Sequence, residues 1–136
     1  MDKSLWSEFS QKKEFEQLNR DISCDILVIG GGMAGVLTAY YLMREGKNVV
    51  LVEGAQIGSG MTANTTAVIT AQHDTPYKDL IKYYGEEKAK NYLRANLSAV
   101  EEFKQIINNE QIDCDFEITP SYMHSKDYNL NDEVKK

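Results

Sequence analysis

The run Gly30-Gly31-Gly32-Met33-Ala34-Gly35 constrains this chain more than any other stretch, because of what lies on either side of it. Before it stands Cys24-Asp25-Ile26-Leu27-Val28-Ile29, a short β-branched run that suits a buried parallel strand. After it, Met33, Val36, Leu37, Tyr40 and Tyr41 recur at three- and four-residue steps, which predicts a helix over 33–45. Gly46 sits where a helix-ending glycine belongs, and Asn48-Val49-Val50-Leu51-Val52-Glu53 reads as a second buried strand. Strand, helix and strand within about thirty residues make one βαβ unit, with parallel strands and a right-handed crossover. The fold class expected is therefore α/β, a Rossmann-like dinucleotide-binding unit.

A bare GxGxxG pattern is weak evidence, but here it leaves a strand, opens a helix and is followed by an acid at the end of the next strand. Gly30 lets the chain turn out of the strand, and Gly32 has no Cβ, so a pyrophosphate can approach the backbone. Gly35 lets the helix pack closely on the strand. Amide groups of the first helical turn, around Met33 and Ala34, face the phosphates along the helix dipole. Glu53 follows Gly35 at close to the ~20-residue offset of a ribose-binding acid, and its charge disfavours a 2′-phosphate. A glycine-rich turn beside a surface glutamate is the simpler reading, and it leaves the shared register of strand, loop, helix, strand and acid unexplained.

FAD and NAD both use such a unit. The stretch 54–66, rich in Gly, Ser, Thr and Asn and without periodicity, offers a second set of small donors. A simple NAD domain has no need of it, which favours FAD. Together with residues 24–35 and Glu53, the segments Ile57-Gly58-Ser59-Gly60-Met61-Thr62 and Thr65-Thr66-Ala67 resemble the start of the FAD-dependent oxidoreductases of the D-amino-acid oxidase superfamily. The likeness is nearest to bacterial members that carry a C-terminal Rieske iron–sulfur domain, and it runs from about Leu5 through Tyr122. It implies that residues 30–35 hold the FAD pyrophosphate and Glu53 the adenosine ribose. It also implies that Gly54, Ser59, Gly60, Thr62, Thr65 and Thr66 line the pyrophosphate and approach the flavin. Some relatives attach FAD through a histidine near this loop; Ala63-Asn64-Thr65 stands there instead, so non-covalent binding is expected. In the intact enzyme the resemblance implies oxidation of an amine, amino acid or related C–H. Family members continue for several hundred residues, so an N-terminal fragment, inactive alone and incomplete at its C-terminus, is expected. Two other readings stay open at this point: a fragment of an NAD-linked dehydrogenase, and an inert folded remnant or interaction module.

A net charge of −6 without any basic tract argues against nucleic-acid or anionic-membrane partners. A small-molecule substrate is expected, with self-association through surface bared by truncation. No apolar stretch is long enough to span a bilayer or serve as a signal peptide. Cys24 and Cys114 fit no CxxC spacing, so a reducing cytoplasm is expected. With His73 and His124 they are too scattered for a Rieske set, and no metal site or catalytic residue is assigned.

The remaining expectations concern organisation. Residues 1–20 read as an arm carrying Leu5, Trp6, Phe9, Phe15 and Leu18, and 21–136 as the FAD-binding portion. A short strand is expected at 67–71, and helices at 77–84, opened by Pro76, and 86–109. A strand at 112–118 is expected to pair with Tyr122-Met123-His124 as a hairpin. His73 and Asp74 read as a solvated loop pair, and the tyrosines at 77, 83, 84 and 92 as packing residues.

Overall fold

The computed structural model describes residues 13–73 and 76–122. The expectations placed on Leu5, Trp6, Phe9, Asp74, Met123, His124 and the C-terminal tail lie outside those residues.

Two compact units divide the chain, Met1–Val68 and Ile69–Lys136. In the first, strand β1 (Ile26–Ile29) leads into helix α1 (Met33–Arg44), which returns to strand β2 (Val49–Val52). The strands are parallel, with Ile26 opposite Val49 and Ile29 opposite Val52. Asp25 fixes this register at its open end: its N–H donates to Asn48 O at 2.9 Å, and its carboxylate accepts the Asn48 N–H at 2.8 Å. At the other end the Gly30 N–H extends the ladder to Val52 O at 2.8 Å. Gly30 then turns with φ +105, a backbone angle that L side chains rarely adopt. Helix α1 stops as its sequence suggests, with Gly46 at φ +74 donating to Met43 O and Lys47 donating to Leu42 O.

Burial departs from expectation in β1. Ile26 and Val28 are half-buried, whereas Leu27 and Ile29 are exposed. One face of the two-stranded sheet is covered, while a parallel sheet is normally covered on both.

In the second unit, Pro76 opens helix α2 (Pro76–Tyr84), Gly85 at φ +84 breaks it, and helix α3 (Glu86–Asn109) follows and packs against it. Tyr77 ties them together. Its ring meets Tyr92 edge-on at 6.0 Å, and its hydroxyl donates to Ala71 O at 2.7 Å. Ala89 and Ile106 are the buried apolar residues of α3. The solvated face carries ion pairs such as Lys90–Glu86 at 2.6 Å, which at such exposure contribute little.

Neither shorter strand forms among the described residues. Ala67 takes φ +54 at the head of 67–71 and Asp115 takes φ +49 in the middle of 112–118, so the extended alternation is broken in both. Among the described residues each run also lacks a neighbouring strand to accept its backbone hydrogen bonds, and isolated strands and hairpins are marginal in water. The hairpin is corrected accordingly: 112–118 is irregular chain. No described helix is long and apolar enough to cross a membrane.

Candidate functional site at the glycine turn

The site is assembled at the carboxyl ends of β1 and β2, where the turn into α1 meets the loop that follows β2. Gly35 determines how closely α1 approaches the strand. A Cβ there would lie 1.9 Å from Gly30 O, so no other residue fits without displacing the turn. Gly31 is buried and also confined, though less severely, because its Cβ would lie 2.9 Å from Ile57 Cγ1 and 3.1 Å from Glu53 Cβ. Gly32 is different. It is extended, with φ −74 and ψ 179, and its Cβ would meet only Thr62 Oγ1, at 3.4 Å. Two glycines are thus required by the fold itself, and the third keeps open the space in front of the helix start.

That helix start presents donors that have no partner within the helix. The first intrahelical bond runs from Val36 N–H to Gly32 O at 3.0 Å, so the amides of Met33, Ala34 and Gly35 precede it. Gly32 supplies no side-chain cap and the first turn contains no acidic residue. Such an end attracts an anion through its amides and the helix dipole.

Glu53 stands beside this turn, half-buried at the end of β2. Its Oε2 accepts the Gly31 N–H at 2.6 Å and its Oε1 the Ala55 N–H at 2.8 Å. These bonds, the Gly31 one foremost, with a smaller one from Gly54, outweigh desolvation and hold the carboxyl below the usual glutamate range. An ionised carboxylate with two oxygens has lone pairs left for further donors, such as ribose hydroxyls. Residues 53–57 also line an open groove of about 1140 Å³, bounded by Val36, Ala39, Tyr40 and Met43 of α1 and by residues 13–20.

The loop after Glu53 is stitched to the glycine turn. Gly58 N–H donates to Gly31 O at 2.8 Å, and Thr62 Oγ1 accepts the Met33 N–H at 3.1 Å. A single 3-10 turn (Thr62–Asn64) follows, and Asn64 Nδ2 donates back to Gly60 O at 2.7 Å. Gly58 and Gly60 take φ +74 and +62, which explains their glycine character. The structure therefore brings Gly31 against Glu53 and Met33 against Thr62. Ser59 is half-buried and its N–H donates to Gln56 O, whereas Gly54, Thr65 and Thr66 are exposed. Sequence reasoning missed Ile57, whose side chain walls Gly31, and the bracing role of Asn64. Ile57 carried a signal, as an apolar residue isolated in a polar loop. His73 is exposed, and among the described residues no group of three or more His, Cys, Asp or Glu is placed to hold a metal.

Comparison with known proteins agrees with this geometry. The family described as "FAD dependent oxidoreductase" (DAO) matches residues 25–135. The chain is 38% identical over 126 residues to the Bacillus subtilis protein named "Putative Rieske 2Fe-2S iron-sulfur protein YhfW", covering 93% of this chain and 25% of that one. It is 30% identical over 102 residues to gamma-glutamylputrescine oxidoreductase of Escherichia coli, covering 75% of this chain and 24% of the relative. Against sarcosine oxidase subunit beta of Rhizobium meliloti it is 39% identical over 54 residues, 38% of this chain and 13% of the relative. No solved structure matches. The chain spans about a quarter of the length of the first two relatives. The residues fit the family's cofactor: a glycine cradle that a Cβ would fill, first-turn helix amides without intrahelical partners and an ionised acid adjoin one another. The chain belongs to the DAO family of FAD-dependent oxidoreductases, and it corresponds to the N-terminal, FAD-binding portion of such an enzyme.

Proposed function

We propose that this chain grips the ADP half of FAD, with residues 30–35 at the pyrophosphate and Glu53 at the adenosine ribose. The observation that carries this reading is the joint placement of the first-turn α1 amides and the Glu53 carboxylate around Gly31. The amides of Gly32, Met33, Ala34 and Gly35 supply donors for phosphoryl oxygens, and Glu53 accepts the ribose hydroxyls. Gly54, Ser59, Gly60, Thr62, Thr65 and Thr66 form the loop alongside the pyrophosphate. FAD, when bound, supplies two-electron redox chemistry; the residues of this chain bind and orient it.

In the intact protein the reaction is oxidation of a small-molecule substrate at a C–H beside an amine. The names of two relatives, gamma-glutamylputrescine oxidoreductase and sarcosine oxidase subunit beta, support this choice. A cytoplasmic location is supported by two free cysteines, Cys24 and Cys114. An acidic chain, with a net charge of −6, favours neither nucleic acid nor anionic membrane as partner. Self-association through the exposed Leu27 and Ile29 face of β1 is part of the same proposal.

The test is reconstitution. The full chain mixed with FAD and freed of excess by gel filtration is expected to carry flavin absorbance near ~450 nm at about one equivalent. Elution of all flavin apart from the protein overturns the reading.

A further inference from the structure

One donor at the mouth of the site has two claimants. The Met33 N–H, at the first position of α1, has no carbonyl within the helix to bond to, because the residue four back, Ile29, belongs to β1. It donates instead to Thr62 Oγ1 at 3.1 Å, across 29 residues of sequence. The same amide belongs to the group that the proposed function assigns to the pyrophosphate. Thr62 is poised by its own surroundings. It opens the 3-10 turn Thr62–Asn64, which Asn64 braces onto Gly60, and its Oγ1 stands 3.4 Å from where a Cβ on Gly32 would sit.

We propose that Thr62 is a latch on the FAD site: its hydroxyl caps the Met33 amide until a phosphoryl oxygen of the dinucleotide takes that amide over. This rests on the assignment of the pyrophosphate to residues 30–35. A phosphoryl oxygen carries negative charge and is the stronger acceptor, so it displaces a neutral hydroxyl from an amide at a positive helix end. Having surrendered the amide, the threonine hydroxyl can donate to the same phosphoryl group, because a hydroxyl both donates and accepts. The latch thus holds the 54–66 loop against the glycine turn before binding and keeps it there afterwards, with the anion inserted between them. Gly58 N–H to Gly31 O, at 2.8 Å, is a second tie between loop and turn, and the handover does not require it to break.

The test follows amide hydrogen exchange at Met33 by NMR in the full chain, with ADP as the probe. Thr62→Val keeps the shape and removes the hydroxyl, and Thr62→Ser restores it. Without ADP, Thr62→Val is expected to speed Met33 exchange by about tenfold, the scale of one net hydrogen bond, while Thr62→Ser stays near wild type. With saturating ADP, wild type and Thr62→Val are expected to be equally protected at Met33. Unchanged Met33 exchange in Thr62→Val without ADP overturns the latch and leaves the FAD reading intact. ADP that binds and protects Ala34 but leaves Met33 in Thr62→Val exchanging as fast as before overturns the handover alone. A wild-type chain that takes up no ADP overturns both.

Discussion

The Gly31 N–H donates to Glu53 Oε2 at 2.6 Å, joining the turn out of β1 to the end of β2 across 22 residues of sequence. Gly31 has no room for a side chain, and Ala55 holds the other carboxylate oxygen at 2.8 Å. The direction of the carboxylate is therefore set by two backbone amides before any ribose hydroxyl arrives. Preset acceptors lower the ordering cost of binding.

Replacing Glu53 by Gln preserves shape but turns one oxygen into a donor. That NH2 must then face either the Gly31 or the Ala55 amide, donor against donor. Glu53→Gln is expected to weaken ADP binding by roughly 10- to 100-fold, the scale of a charged hydrogen bond. Far-UV circular dichroism should show the helices retained. Calorimetric titration with unchanged affinity would contradict the ribose assignment.

The same carboxyl makes stability depend on pH. Its folded pKa is lowered, chiefly by the Gly31 bond. Its contribution is therefore fully present above the ordinary glutamate value and is lost as pH falls through the lowered folded value. Urea midpoints of wild type and Glu53→Gln, measured from about pH 7 to about pH 3, are expected to converge in acid. A gap between them that widens towards low pH would reverse the sign and reject the bond.

Two glycines separate folding from binding. Gly35→Ala places a methyl 1.9 Å from Gly30 O, against backbone that has no way to swing aside. It is expected to cost more than about 3 kcal/mol in chemical denaturation, beyond ordinary overpacking. Gly32→Ala meets only Thr62 Oγ1 at 3.4 Å and should unfold within about 1 kcal/mol of wild type. It should nevertheless lose FAD, since the new methyl projects into the space in front of the α1 amides. Flavin retention by Gly32→Ala would show that the pyrophosphate lies elsewhere.

In the second unit, Tyr77→Phe removes the 2.7 Å bond to Ala71 O and keeps the edge contact with Tyr92. The expected loss is about 1 kcal/mol by urea denaturation. Burial first, and Tyr92 second, push the Tyr77 phenol above the usual tyrosine range. Spectroscopic titration of wild type against Tyr77→Phe should accordingly show the lost phenol step above the usual tyrosine range.

Local signals made the β1–α1–β2 unit legible. The apolar period changes from strand to helix and back, with glycine at each change, and Pro76 and Gly85 punctuate α2 and α3 equally clearly. Residues 67–71 and 112–118 look like strands because short apolar runs score well in isolation. A strand needs a partner, however, and the positive φ of Ala67 and Asp115 leaves no trace in composition. In the site, Gly30, Gly31, Gly32, Gly35 and Glu53 announced themselves through spacing. The tasks of Gly32 and Gly35 were legible from the motif, whereas the confinement of Gly31 by Ile57 and Glu53 emerged only from distances. The Thr62 contact with Met33 was hidden for a related reason: it joins an aperiodic loop to a helix start far away in sequence.

Displacement of bound FAD tests the central assignment most directly. If the turn at residues 30–35 and Glu53 hold the pyrophosphate and ribose, ADP will compete FAD off the full chain, followed by recovery of free-flavin fluorescence. Riboflavin, which lacks both groups, will not. Displacement by riboflavin with ADP inert would place the grip on the flavin ring and contradict the assignment.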